Sequence, residues 1–250
     1  MRQFFLATVG APPAAGQHVL LDRDESHHAL TVLRRGDRDP VGLVDGRGLR
    51  LTARLAGRDG KLARLEILTV AHDEAEQAAP RLWLACGVVK GRRWEWVLEK
   101  AVELGAHRIT PLLCEHGVVE PREGRRERWL GVLRAALKQS GRAWLPELDE
   151  PQSLADWLAG GGDWRLFYGA VPAERDAVAA EPTATAADAW LAAAIGPEGG
   201  WAPAERTALQ DAGAAVLDLG PHVLRTETAA AAALALLQAV RRRAVAAGDP

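Results

Sequence analysis

The first seventy residues carry short hydrophobic runs broken by Gly, Pro and Asp. Residues 4–9, 18–21, 41–44 and 62–70 each read as a strand. Between 49 and 55, Leu49, Leu51, Ala53 and Leu55 alternate with Arg50, Thr52 and Arg54, so one face is buried and the other is polar and partly basic. Asp45-Gly46 is a hairpin-turn signal. Only 25–33 looks helical here. The spacing predicts a small β-barrel. Residues 72–80 are polar and acidic and end in Pro80, which predicts a linker and a boundary between a domain at 1–73 and another at 74–250.

From Arg81 the pattern changes to strand alternating with helix. Apolar runs at 82–89, 107–113, 164–168, 190–195 and 214–219 predict strands. Helical spacing over 92–104, 126–142, 204–212 and 226–247 predicts helices, the first with Trp94, Val97, Leu98, Ala101 and Val102 on one face and Gly105 as its C-terminal cap. Such alternation predicts an α/β domain with a mostly parallel sheet covered on both faces. Ligands of such folds bind beyond the carboxyl ends of the strands.

Composition narrows the class. The 250 residues hold 31 basic and 33 acidic groups and are 48% hydrophobic, which excludes disorder, a collagen-like chain and a disulfide scaffold. Two cysteines make no framework and suggest a reducing, cytoplasmic compartment. The N-terminal twenty residues are too broken by Pro, Gly and polar residues for a signal peptide. The longest apolar run, nine residues from Ala229 to Leu237, is too short to span a bilayer. The net charge of −2 conceals a basic middle, with +5 over residues 76–144, and an acidic end, with −8 over residues 145–250. A basic middle suggests a surface that faces a polyanion.

Two loops at the carboxyl ends of late strands carry the candidate chemistry. Ile195-Gly-Pro-Glu-Gly-Gly200 follows one strand, and Leu219-Gly-Pro-His-Val-Leu-Arg-Thr-Glu-Thr228 follows the next. Gly196, Gly199 and Gly200 permit close backbone approach to a ligand. Thr226 reads as an N-cap, and Glu227 sits where the helix dipole favours a carboxylate. No Gly-Lys-Ser or Gly-Lys-Thr of a Walker loop is present. Gly87-Val-Val-Lys-Gly91, after the first strand, is no dinucleotide fingerprint. His27-His28 lacks metal-ligand spacing, and Cys86, on an apolar strand, is expected to be buried and inert.

At these residues the chain resembles a known family. The shared pieces run in order. They are Arg2-Gln-Phe-Phe; His27-His28 with Val32-Leu33-Arg34; Lys90-Gly-Arg-Arg-Trp-Glu-Trp-Val-Leu-Glu-Lys-Ala-Val-Glu-Leu-Gly105; Lys138-Gln-Ser-Gly-Arg142; Pro146; Ile195 to Gly200; and Leu224-Arg-Thr-Glu-Thr-Ala229. They resemble the bacterial ribosomal RNA uracil-N3 methyltransferases of the RsmE type, in the SPOUT superfamily. The resemblance implies a PUA-like β-barrel, an α/β domain with a C-terminal trefoil knot, S-adenosylmethionine as methyl donor and a homodimer. It also implies methylation of N3 of a uridine in 16S RNA of the small ribosomal subunit, free or within the assembled 30S particle. The cofactor set implied is Tyr168, Ile195, Gly196, Pro197, Glu198, Gly199, Gly200, Leu219, Gly220, Leu224, Thr226, Glu227, Thr228 and Ala229.

Removal of the N3 proton requires a stabiliser of the developing anion and a proton acceptor. Arg225 is the candidate stabiliser, and Glu198 and Glu227 are the candidate carboxylates; loop rigidification and helix capping are their structural alternatives. Arg2, Arg34, Arg35, Lys90, Arg92, Arg93 and Arg142 form the expected phosphate-binding set. Trp94 and Trp96 are either base-stacking or core residues. Three departures from the family stand out: Cys114-Glu-His-Gly117 where it carries an Arg, His222 where it carries another, and Thr31 where a basic residue is frequent. Two alternatives stay open: a non-catalytic RNA-binding protein, and an enzyme of the same superfamily acting on another RNA, such as at a ribose hydroxyl.

Overall fold

Residues 1–7, 10–32, 40–117, 124–171, 182–184 and 188–248 are described by a computed structural model. They fall into two units, Met1–Glu76 with Arg134–Leu145, and Gln77–Leu133 with Pro146–Pro250.

The first unit is built on a five-stranded sheet. Its strands are β1 (Gln3–Phe5), β2 (His18–Leu20), β3 (Val41–Val44), β4 (Leu49–Asp59) and β5 (Leu62–His72), in the order β1-β3-β4-β5-β2. Only β1 and β3 run parallel. The Asp45 turn joins β3 to β4, its carboxylate accepting from the backbone N–H of Arg47 and Leu49. Along β4 the alternation is as predicted: Leu49, Leu51 and Ala53 are buried, and Arg50, Thr52 and Arg54 are not. With Phe4, Leu43, Leu65 and Ile67 they form one apolar cluster. Helix α1 (Arg23–Val32) is fastened by Ser26, which is fully buried. Its hydroxyl donates to the Leu21 carbonyl and accepts from Ala63 N–H, both at 2.9 Å. The predicted linker at 72–80 is partly ordered structure, since β5 runs on to His72 and a 3-10 turn covers Ala75–Gln77.

Residues 134–145 are held in this unit by polar contacts. Lys138 pairs with Glu25, and Arg50 bonds both Asp73 and the Gly141 carbonyl. The Trp144 indole N–H donates to the Asp73 carbonyl. Gly48, at φ +95°, lies against Trp144; a Cβ there would stand 2.5 Å from the ring. Arg142 corrects an expectation. Its side chain is 9% exposed and its Nε lies 2.7 Å from Glu76 Oε1, so in this structure it is a buried ion-pair partner where an exposed cation was expected. Burial pulls its pKa down, opposed by Glu76 and Asp73.

The second unit is built on a parallel sheet. Its strands are β6 (Arg81–Gly87), β7 (Arg108–Leu113), β8 (Glu147–Leu148), β9 (Gln152–Ser153), β10 (Trp164–Gly169), β11 (Trp190–Ile195) and β12 (Ala215–Leu217). The order is β12-β10-β11-β6-β7-β8, with β9 also on β7. Five helices accompany it: α2 (Arg92–Glu103), α3 (Arg125–Ser140, in this unit as far as Leu133), α4 (Leu154–Ala159), α5 (Pro203–Asp211) and α6 (Thr226–Gly248). Strand alternation sorts the faces. Trp83, Ala85, Tyr168, Ala192 and Ala194 share a cluster with Leu154 and Trp157 of α4 and Leu209 of α5. Leu82 and Leu84, of opposite parity, are also fully buried, and α6 packs on β6, β11 and α2. The alanines of α6 let backbone approach backbone. Two-residue strands and the six-residue α4 are too short for periodicity to reveal. No helix among the described residues is long and apolar enough to cross a membrane.

Removing one partner of a buried ion pair leaves an uncompensated charge. Glu76→Gln is therefore expected to cost about 3 kcal/mol of stability in urea unfolding; an unchanged midpoint would show that Arg142 finds another anion.

Candidate active site

The chain leaves β6 for β7 on one side of the sheet and returns as β11 on the other, so strand order reverses between β6 and β11. Open parallel sheets bind ligands at such a switch point. There the two carboxyl ends meet closely, and a Cβ on Gly87 would lie 2.8 Å from the Pro197 nitrogen.

A cleft opens beside this point. It encloses about 590 Å³ of space not filled by atoms, part of it open to solvent. Three segments line it: Gly169 to Val171 after β10; Ile195 to Glu198, Gly200 and Trp201 after β11; and Leu219 with 222–224, Thr226 and Ala229 before and within α6. The two loops singled out by sequence thus share one cavity. Of the expected cofactor set, Ile195, Gly196, Pro197, Glu198, Gly200, Leu219, Leu224, Thr226 and Ala229 line it. Tyr168, 2% exposed, lies in the apolar core under the sheet. Gly199 faces His116, whose Cβ would be 2.7 Å from an added Cβ. Gly220, Glu227 and Thr228 are not among the lining residues. Gly220 shapes its loop at φ +101°, with its N–H on the Asp218 carboxylate at 2.9 Å.

Two side chains hold the loops in register. Thr226 is 3% exposed, and its hydroxyl donates to the Gly196 carbonyl at 3.1 Å. It is the first residue of α6, preceded by Arg225, whose carbonyl accepts the first helical bond from Ala229. The expected cap is therefore a cross-link between loops. Trp201, which sequence reasoning missed, donates its indole N–H to the Gly169 carbonyl at 2.9 Å. Its ring lies against Gly196, where an added Cβ would be 3.2 Å away. A bulky aromatic just after two glycines was the available signal.

The candidate catalytic groups differ in environment. Arg225 is exposed and makes no hydrogen bond or ion pair through its side chain among the described residues. Glu198 lies 2.5 Å from the Arg93 guanidinium, which joins the β11 loop to α2. Glu227 holds one carboxylate oxygen, Oε2, buried with no hydrogen-bond partner. Leaving a buried acceptor unpaired is costly, so such an atom marks a place where a ligand or ordered water belongs.

The remaining expectations divide. Lys90 and Arg92 are exposed and without ion-pair partners among the described residues, at the start of α2. Arg93 is engaged by Glu198. Arg2 is exposed in the first unit; Arg34 and Arg35 lie outside the described residues. Trp94 is buried against Trp129, whereas Trp96 is 39% exposed. No group of His, Cys, Asp and Glu among the described residues is arranged to hold a metal ion. His116, at one of the family departures, places Nδ1 3.1 Å from the Gly199 carbonyl, and His222 lines the cleft.

Glu205, at the start of α5, accepts from Ala202 N–H and from Glu115 N–H. Its charge, with burial the larger cause, pushes the Cys114 thiol up to about 12. Burial likewise raises Cys86, reinforced by Cys114, Glu227 and Glu198. Both thiols are therefore inert at neutral pH, as expected of Cys86.

Comparison with known proteins identifies the class. Residues 76–238 match the family model of an RNA methyltransferase domain. The chain is 32% identical over 235 residues to the ribosomal RNA small subunit methyltransferase E of Mycobacterium bovis, covering 89% of this chain and 86% of that one. The namesake from Bacillus subtilis is 27% identical over 234 residues, 86% and 87% of the two chains. Among solved structures, the Neisseria gonorrhoeae ribosomal RNA small subunit methyltransferase E bound to S-adenosyl methionine superposes with a TM-score of 0.82 at 29% identity, over 96% of this chain and 98% of that one. A methyltransferase from Legionella pneumophila in complex with the same cofactor gives 0.78 at 31% identity, over 95% and 96%. The chain belongs to the ribosomal RNA small subunit methyltransferase E family.

The cysteines yield a prediction. A thiol kept protonated in the fold but free to ionise near pH 9 when unfolded adds no pH dependence below about 9 and lowers stability as pH rises toward 12. Urea unfolding from pH 8 to 10.5 should therefore show falling stability, and Cys114→Ala should fall less steeply. Equal slopes would remove Cys114 from the account.

Proposed function

We propose that this protein transfers a methyl group from S-adenosylmethionine to N3 of a uridine in 16S ribosomal RNA, as a cytoplasmic homodimer. On this reading residues 1–73 form a PUA-like RNA-binding barrel and residues 74–250 a SPOUT domain, of which the segment Arg134–Leu145 is grouped with the first unit. Its last segment threads a trefoil knot, a rare topology. The observation that carries the reading is the single cleft shared by the two loops and closed by the Thr226–Gly196 bond. The return of α6 from the edge strand β12 onto β11 and β6 is consistent with threading.

The cleft suits the cofactor. Leu219, Leu224, Val223 and Ile195 give apolar walls for a purine, while the glycines at 196 and 200 put no side chain in the way of a ligand. The orphaned Oε2 of Glu227 awaits a donor near the same helix start. Ile195, Gly196, Pro197, Gly200, Leu219, Leu224, Thr226 and Ala229 would hold the group; Tyr168, Gly199, Gly220 and Thr228 support it from behind. When bound, S-adenosylmethionine supplies an electrophilic methyl on a sulfonium.

The chain's own residues do the rest. Uracil N3 becomes nucleophilic as its proton leaves, and charge spreads over the flanking carbonyl oxygens. Arg225, cationic and unpaired, stabilises that charge. Of the two candidate carboxylates, Glu198 lines the cleft but is paired with Arg93, whereas Glu227 lies behind the lining with one oxygen unpaired, so either could accept the proton only by giving up its present setting. Arg2, Lys90 and Arg92 bind phosphates, which position RNA without reading it.

Two measurements test the reading. Titration calorimetry should show S-adenosylmethionine binding, and nucleoside mass spectrometry of ribosomal RNA from a deletion strain should show loss of N3-methyluridine; undiminished N3-methyluridine would refute the assignment. Arg225→Ala should keep cofactor affinity within twofold and lower methyl transfer at least a hundredfold, consistent with loss of an anion stabiliser. Parallel loss of binding and turnover would make the residue structural.

A further inference from the structure

A second cleft lies at the start of α2, where the chain turns out of β6. Val88, Val89, Gly91, Trp94 and Glu95 form one side, and Arg125, Arg128 and Trp129 of α3 the other. None of these residues belongs to the cavity between the two late loops.

Three observations make it a built anion site. First, α2 begins at Gly91 with no side-chain cap, and a Cβ at Gly91 would meet nothing within 4 Å. The Trp94 and Glu95 N–H groups turn back to the Gly91 carbonyl, which leaves those of Arg92 and Arg93 without an acceptor among the described residues, at the positive end of the dipole of this twelve-residue helix. Second, Trp94, 1% exposed, lines the cleft, and its indole N–H has no acceptor. That is a buried donor whose partner is missing from the protein. Third, Arg125 lines the cleft with no ion-pair partner among the described residues, while Arg128 is held by Glu95. Unpaired Lys90 and Arg92 flank the entrance in sequence. A spare guanidinium, a spare indole donor and free helix N–H groups are all donors, and a tetrahedral oxyanion accepts from several at once. Glu95 is the single carboxylate among the described lining residues, and it is neutralised by Arg128.

We propose that this cleft binds one phosphodiester of the RNA strand, with Arg125, the Trp94 indole N–H and the start of α2 as donors. The inference rests on the reading of the protein as an RNA methyltransferase. Arg93, tied to Glu198, links this helix to the loop of the first cleft. A phosphate seated here would anchor the strand beside the nucleotide presented for methylation. Glu95 regulates the site by competing for Arg128.

Fluorescence anisotropy with labelled decauridylate over a range of salt tests this in the full chain. Arg125→Gln should weaken binding about tenfold and lower the salt slope by about one. Glu95→Gln should strengthen binding severalfold by releasing Arg128. Arg242→Gln, an equal charge change at an exposed position of α6, should alter affinity less than twofold; a loss as large as for Arg125→Gln would reduce the effect to net charge and overturn the site. Trp94→Phe should weaken binding without changing the salt slope, since it removes a donor and no charge. Inorganic tripolyphosphate serves as the second probe. If Arg125→Gln weakens only tripolyphosphate and leaves decauridylate unchanged, the cleft takes free phosphates and the RNA assignment fails. S-adenosylmethionine calorimetry on the same variants separates the two proposals. Cofactor binding with unchanged RNA affinity overturns this site alone, whereas absent cofactor binding in the wild-type chain overturns the functional reading.

Discussion

The bond from the Thr226 hydroxyl to the Gly196 carbonyl is the constraint on which the cleft depends. The two residues are thirty positions apart, and each stands where a parallel strand or a helix has just ended or begun. Without that bond the half-buried Gly196 carbonyl would need another donor, and the start of α6 would be free to shift against β11. Trp201 performs the same service one strand over, tying the β11 loop to the end of β10. Loops rich in glycine pay heavily in entropy to become ordered. Here two buried side-chain donors offset that cost and leave the glycines free of side chains where a ligand must approach.

Electrostatics then divide the labour around the cleft. Glu198 is neutralised by Arg93, and Glu95 by Arg128, so the carboxylates at the start of α2 carry little free charge. Among the described residues Arg225 and Glu227 are the exceptions, one cation exposed and unpaired, one carboxylate oxygen buried and unpaired. Groups left unsatisfied in an otherwise well-paired fold are where binding energy can still be gained.

Much of this was legible in the order of residues. The alternation along β4, the Asp45-Gly46 turn, the helical face of α2 with Gly105 after it, and the pairing of the two late loops all come from patterns within a few residues of each other. What escaped was decided at a distance. Thr226 carries the signature of a cap, because capping is local, but its acceptor comes from another loop. Arg142 looks like a surface cation among Lys138, Gln139 and Ser140, and nothing beside it announces that Glu76 buries it. Gly199 belongs to the loop at 195–200 yet packs against His116, and Tyr168, near the end of β10, packs into the core. The strands β8 and β9 are two residues each, shorter than any period can reveal.

The membership of residues 134–145 has a practical corollary for anyone dividing this molecule. A gene cut after codon 76 would encode five strands and a helix without the segment that neutralises Glu25, covers Gly48 and buries Glu76. Such a fragment would keep the carboxylates and lose their cations. An isolated amino-terminal piece must therefore borrow those twelve residues, by a linker or by co-expression, before its folding or its RNA affinity says anything about the intact enzyme.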